Sequence, residues 1–294
     1  MHATKGEKVF QGINYGLLAV VSLICLFPMI HIIALSFSHS AYVAANMVTF
    51  WPVKPHILNY KFIFEHTSMV TNMMMSIQRV LVGTAVNIFL VLITAYPLSY
   101  DGTELKGRNT LMWILVVPMF LHAGLIPNYI LISRLGLMDS LWALILPGAV
   151  TIWNIIMMQN FFRSMPRELH EAALIDGAGH LTVLFRILVP LNLAAIATLS
   201  LFCAVNHWNA WFDGMIYIRH PQKMPVQTAL RSLMKVTAHI VGQERFYTPE
   251  ELAMLSDRSL TCAKIAFTTL PILVIYPFVQ RFFVKGVIIG AVKG

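Results

Sequence analysis

Six stretches of mostly apolar residues, at about 13–35, 74–98, 110–132, 141–162, 191–218 and 260–282, limit this chain more than anything else in it. A helix needs about 20 apolar residues to cross a hydrocarbon core of about 30 Å. A lone strand in lipid cannot satisfy its backbone groups, so each run is predicted to be helical. Pro97, Pro118, Pro127, Pro147, Pro271 and Pro277 fall in or near these runs. In a soluble helix each would be a breaker; in a membrane bundle they read as kinks. Composition agrees. Only 12% of the residues are charged and 57% are hydrophobic, against about 25% charged in a typical soluble domain, which leaves too little polar surface to cover a water-facing core. The predicted fold class is all-α: a polytopic membrane protein with six transmembrane helices, forming a single domain over 1–294. The first run contains Pro28 and His31 and has no small-x-small cleavage site, so it reads as a retained anchor and not a signal peptide.

The net charge is +8. Its basic residues are scattered between apolar runs, which excludes a nucleic-acid-binding patch and points to loops facing anionic lipid headgroups. Cys25, Cys203 and Cys262 all lie in apolar runs and read as buried free thiols. An even number of spans puts both termini on one side. With the termini inside, ten Lys and Arg fall on inner segments and nine on outer ones, which decides nothing by itself. Six of those nine (Arg219, Lys223, Arg231, Lys235, Arg245 and Arg258) belong to one connection, 219–258. That connection also holds Thr248-Pro249-Glu250-Glu251, a helix-start pattern, and reads as a small folded extracytoplasmic insert. Setting it aside leaves ten against three and puts both termini in the cytoplasm.

The connection 163–190, RSMPRELHEAALIDGAGHLTVLFRILVP, is too polar to span and too patterned for slack linker. Ser164, Pro166 and Glu168 read as a helix start: a capping oxygen, a proline in the first turn and an acid at the positive end. Leu169, Ala172 and Ala173 form a short apolar stripe at i, i+3 and i+4. Gly177 allows a left-handed cap, after which Leu181–Leu188 starts a second helical segment leading into the fifth span. A plain amphipathic helix lying on lipid would instead want Lys/Arg flanks and bulky apolar anchors. The middle turn here offers Ala, Glu and Asp.

In that loop Glu171, Ala172, Ala173, Gly177, Ile187 and Pro190 stand in the register of the EAA motif, and Asp176 and Ala178 complete the sugar-importer version EAAxxDGA. Pro166, Glu168 and Leu169 match the residues that precede it. Here the chain resembles the permease subunits of ABC importers, in their carbohydrate-uptake group. Val189 replaces the usual Leu, and Ala194 stands where many relatives have a second Pro. The likeness covers nearly the whole chain. Ala95-Tyr96-Pro97-Leu98-Ser99, Gly107-Arg108, Trp208-Asn209 and the tail Gln280 to Gly294 resemble the maltose-type smaller permease subunit, nearest to its polysaccharide-fragment and alginate-oligosaccharide subfamily. The resemblance implies a type I ABC importer permease fold whose loop 163–190 is a cytoplasmic coupling helix. Glu168, Glu171, Ala172, Ala173, Asp176, Gly177 and Ala178 would then meet an ATPase. It also implies a second permease subunit forming a heterodimer, two cytoplasmic ABC ATPase subunits that bind the ATP and magnesium, an extracytoplasmic solute-binding protein, and a bacterial inner-membrane location.

No catalytic, cofactor or metal set is found. GTELKGRN at 102–109 lacks the Lys and hydroxyl of a phosphate loop, and Leu174 occupies the second His position of the HExxH pattern begun at His170-Glu171. Polar groups inside spans are functional candidates. Asn154, with Asn206, His207, Trp208, Asn209 and Trp211 in the fifth run, suits sugar hydroxyls and ring faces and equally suits packing between helices. Arg79 and Lys264, a few residues into spans two and six, either snorkel to the outer water or face the pathway and attract an anionic sugar. The cargo expected on this reading is an acidic oligosaccharide such as an alginate-type uronate. The alternatives are a secondary (ion-coupled) sugar transporter, which leaves the loop unexplained, and a membrane-embedded enzyme, which lacks an acid–base set.

Overall fold

The computed structural model describes residues 5–66, 68–101, 105–121, 123–233 and 248–291; side-chain placements are further limited to the residues before 275. Its helices, in chain order, are α1 (Lys5–Phe37), α2 (Ser40–Ala44), α3 (Leu58–His66), α4 (Met69–Ser99), α5 (Arg108–Phe120), α6 (Leu125–Arg134), α7 (Leu141–Ile145), α8 (Ile152–Arg163), α9 (Arg167–Ile175), α10 (His180–Thr182), α11 (Val189–Leu191), α12 (Leu193–Asn209), α13 (Phe212–Tyr217), α14 (Val226–Leu233), α15 (Pro249–Met254) and α16 (Asp257–Ala291). No strand occurs among the described residues. Two compact units divide the chain: Met1–Val70 with Leu230–Pro271, and Thr71–Ala229 with Ile272–Gly294.

In the first unit, α1 has 33 residues, about 50 Å at ~1.5 Å per residue. Only 6% of its most apolar stretch is buried. Its side chains are apolar around the whole circumference, as on a helix that lipid surrounds; Cys25 is exposed there and not buried. After α1 the chain is tied down by polar bonds. Ser38 Oγ donates to the Ala34 carbonyl at 2.6 Å and accepts from the Val53 amide at 3.0 Å. Asn59 Nδ2 donates to the Ser36 carbonyl at 2.8 Å, and the Ser259 hydroxyl donates to Asn59 Oδ1 at 3.2 Å. At α15 the expected helix start is present. Thr248 Oγ1 accepts from the Glu251 amide at 3.2 Å, and Glu251 Oε2 accepts from the Thr248 amide at 2.9 Å, a reciprocal capping box. Residues 234–247 of the expected insert lie outside the described residues, as do the last three of the tail.

In the second unit, α4 is a full-length span, while the expected third, fourth and fifth spans are interrupted. The run 110–132 is not one helix: α5 ends at Phe120, with the Leu121 amide on the Pro118 carbonyl at 3.2 Å, and α6 restarts after Gly124 at φ +84°. The run 141–162 is α7, a 3₁₀ turn at Leu146–Gly148 that holds Pro147, and α8, bent by 56°. The run 191–218 begins two residues late, breaks again at Ala210–Trp211, and bends by 87° at Asn192 from the segment before it. Pro190 cannot donate in that turn, and Asn192 Nδ2 takes the Leu188 carbonyl at 2.8 Å. The segment expected as a plain helix at 181–188 is a π-helical turn over Val183–Leu188. Its Val183, Leu184 and Leu188 are buried with Val91 and Ala95 of α4 and Met158 and Phe162 of α8, forming the main core.

Candidate coupling loop and in-span polar sites

Pro166, not Ser164, precedes the helix of the loop. Its ψ of 129° is extended and α9 runs from the next residue. Ser164 ends α8 instead, and its hydroxyl donates back to the Phe161 carbonyl at 2.8 Å, so no side chain caps α9. Glu168 lies in the first turn, where its charge meets the positive helix pole. The other end is closed as expected. Gly177 is left-handed at φ +82°. The Ala178 amide donates to the Ala173 carbonyl at 2.9 Å and the Gly177 amide to the Leu174 carbonyl at 3.0 Å, the paired bonds of a Schellman cap.

That closure fixes which faces are free. Ala173 is buried, and Ala178 packs on the same core as Phe162 and Leu184. Glu168, Glu171, Ala172, Asp176 and Gly177 are exposed. Of the apolar side chains on α9, Leu169 and Leu174 stay largely exposed and Ile175 is 85% exposed. The predicted stripe of Leu169, Ala172 and Ala173 therefore divides: only Ala173 packs inward. Beside α9, Arg163 pairs with Asp101 at 3.1 Å. The hydroxyls of Tyr96 and Tyr100 lie 2.6 Å apart and within 3.1 and 3.2 Å of His180 Nδ1. The start of α10 is thus held to the C-terminal end of α4. Arg108 Nε closes that end of α4 by donating to the Leu98 carbonyl at 2.8 Å.

Neither reading open to Arg79 describes its surroundings, since its side chain is only 3% exposed. Both terminal nitrogens pair with the Asp213 carboxylate, Nη1 at 3.1 Å from Oδ1, and they also reach the Ala210 and Leu144 carbonyls at 3.3 Å each. Asp213, absent from the expected set, is the residue that sequence reading missed. One face of α4 continues this polar contact. Ser76 Oγ accepts from the Val226 amide at 2.7 Å, and Asn87 Nδ2 reaches the Gly148 carbonyl at 3.3 Å. Between them Gly83 makes room for the His207 ring: a Cβ there would lie 2.5 Å from His207 Nε2. Ser76, Arg79, Gly83 and Asn87 recur at i, i+3, i+7 and i+11, a helical spacing that was present in the sequence. Lys264 is buried in α16 as well.

The fifth-run candidates separate. Trp208 is buried, Trp211 is half-buried, and Asn206 and Asn209 are exposed. Asn154 is buried and donates to Cys203 Sγ at 3.2 Å. Asn154 and Asn206 line one recess of about 400 Å³, together with Thr151, Trp153 and Phe202.

Residues 68–289 match the family described as the binding-protein-dependent transport system inner membrane component. This chain belongs to that family. It is 37% identical over 291 residues to the polygalacturonan/rhamnogalacturonan transport system permease protein YtcP of Bacillus subtilis (strain 168), covering 98% of this chain and 99% of that one. It is 39% identical to protein LplC of the same organism, covering 100% and 98%. Among solved structures it is similar to a chain of a bacterial ABC transporter involved in the import of the acidic polysaccharide alginate, with a TM-score of 0.83, 28% identity and coverage of 96% and 99%. The protein is therefore the helical, membrane-embedded permease subunit of an ABC importer, and not itself an enzyme. A permease of this family works with an ATPase and with a binding protein. Nothing in these likenesses favours an ion-coupled secondary transporter.

Proposed function

We propose that this permease imports acidic oligosaccharides and that α9 is the lever through which a cytoplasmic ATPase drives it. The observation that carries the lever is the pairing of a self-closed helix with an unpacked apolar tip. The Schellman cap and the buried Ala173 make α9 a stiff projection, and Ile175 at 85% exposure asks for a partner surface. Ala173, Gly177 and Ala178 set its base and angle. Glu168, Glu171, Ala172 and Asp176 lie on the side left for the ATPase groove. On this reading the loop 163–190 and both termini are cytoplasmic, 219–258 faces outward, and the membrane is the bacterial inner one. The partner permease is a related but different chain, two ATPase subunits bind below, and the solute-binding protein docks above.

Support for acidic cargo comes from relatives that match nearly end to end. One is named for polygalacturonan and rhamnogalacturonan and another structure for alginate, and galacturonan and alginate are chains of carboxylated sugars. The decisive experiment reconstitutes permeases, ATPases and binding protein in proteoliposomes. Acidic trisaccharide should accumulate with ATP, and Gly177→Pro should abolish uptake in a complex that still assembles. Uptake of neutral trisaccharide only would end the acidic reading; full uptake by Gly177→Pro would end the lever.

A further inference from the structure

We propose that the recess lined by Thr151, Trp153, Asn154, Phe202 and Asn206 is a subsite for a carboxylated sugar ring on this subunit. The inference rests on the importer reading above and adds the place where cargo touches this chain. The recess, of about 400 Å³, falls in the range of small-molecule pockets. It lies where two spans are interrupted, at the start of α8 just after the 3₁₀ turn and in the last turn of α12 before its break. Broken helices inside a membrane are tolerated where they line a cavity, and their free ends are suited to hold a polar ligand there.

The polar and aromatic members of the lining suit a uronate. Asn206 is exposed in mid-span; an amide in that position is costly against lipid and is accommodated by a wet pathway. Asn154 spends its amide on Cys203 Sγ, a weak acceptor. Thr151 Oγ1 is buried with no hydrogen-bond partner. Trp153 offers an exposed ring face on which a pyranose can stack. The carboxylate has its own attraction. No side chain caps α8, so the positive pole of a helix of 12 residues opens where Val150 to Asn154 line the recess. The opposing negative pole of α12 is already met, because Arg79 donates to the Ala210 carbonyl at its end.

The test uses the complete complex in proteoliposomes with a galacturonic acid trisaccharide and a neutral galactose trisaccharide. Asn206→Leu should lower the acidic-to-neutral transport ratio about tenfold, the worth of one good hydrogen bond to a charged group. A ratio needs no correction for the amount of folded complex. As a second readout, Asn206→Cys in a Cys25→Ser background should react with a hydrophilic maleimide, and the acidic trisaccharide should slow that reaction during turnover. An unchanged ratio, a thiol reached only by lipid-soluble reagents, or equal protection by both sugars would each overturn the subsite while leaving the importer standing. A wild-type complex that imports neither sugar would overturn both.

Discussion

At Gly83 the missing Cβ decides whether α4 and α12 can meet. An added methyl would press on the His207 ring at 2.5 Å, and overpacking of this kind costs about 1–3 kcal/mol. Gly83→Ala should lower the thermal midpoint in detergent, and His207→Ala on top of it should restore most of the loss. Arg79 and Asp213 make a different demand, because a buried charge stripped of its partner is worse than no pair at all. Asp213→Leu, which leaves the buried Arg79 unpaired, is expected to cost about 3–5 kcal/mol, and Asp213→Leu with Arg79→Met much less; comparing the yields of folded complex separates the two. Outside the spans, His56 is held below its ordinary value by burial and then by the neighbouring His39. The unfolded chain therefore binds this proton first. The cost to the folded state is absent above about pH 6.5 and grows as pH falls below it, so His56→Gln should shrink the drop in thermal midpoint between pH 7.5 and 5.5. Single residues were only partly legible in the sequence. Arg79 could be picked out as a charge in a span, but Asp213 lies 134 positions away, and no local pattern joins them.

Among the elements, the loop 163–190 was the most legible because local chemistry specifies it. Gly177 must be left-handed to close α9, and only glycine does so cheaply. Gly177→Ala should strain that closure by about 1–2 kcal/mol and lower the transport achieved per ATP hydrolysed, short of the full loss expected for Gly177→Pro. The N-terminus was misread for an equally local reason. Ser164 has a suitable oxygen, but α8 ends on it, and its hydroxyl turns back to Phe161. Breaks in the spans were harder still. Pro118 and Pro147 could be read as kinks, yet whether a kink becomes a full interruption depends on the bonds made at the break. Asn192 Nδ2 adds a local bond to the Leu188 carbonyl at one break, and Arg79 reaches the Ala210 carbonyl at another, an answer that comes from packing. The recess between α8 and α12 lies beside two of these breaks.

For the molecule as a whole, six apolar runs were enough to give the architecture, since lipid leaves a chain so few choices. What they could not give was the division of the third, fourth and fifth runs or the arrangement of the polar faces. The unpacked tip of α9 has a consequence for the cell. A copy of this subunit made without its ATPase carries Ile175 bare in water, together with much of Leu169 and Leu174. Chaperones and proteases triage chains that are not properly folded or assembled. Orphan copies should be degraded several-fold faster than assembled ones in a pulse–chase experiment, and Ile175→Ser should lengthen their lifetime without the ATPase present. Quality control would then keep the subunits in proportion, by destroying every lever that has no hand on it.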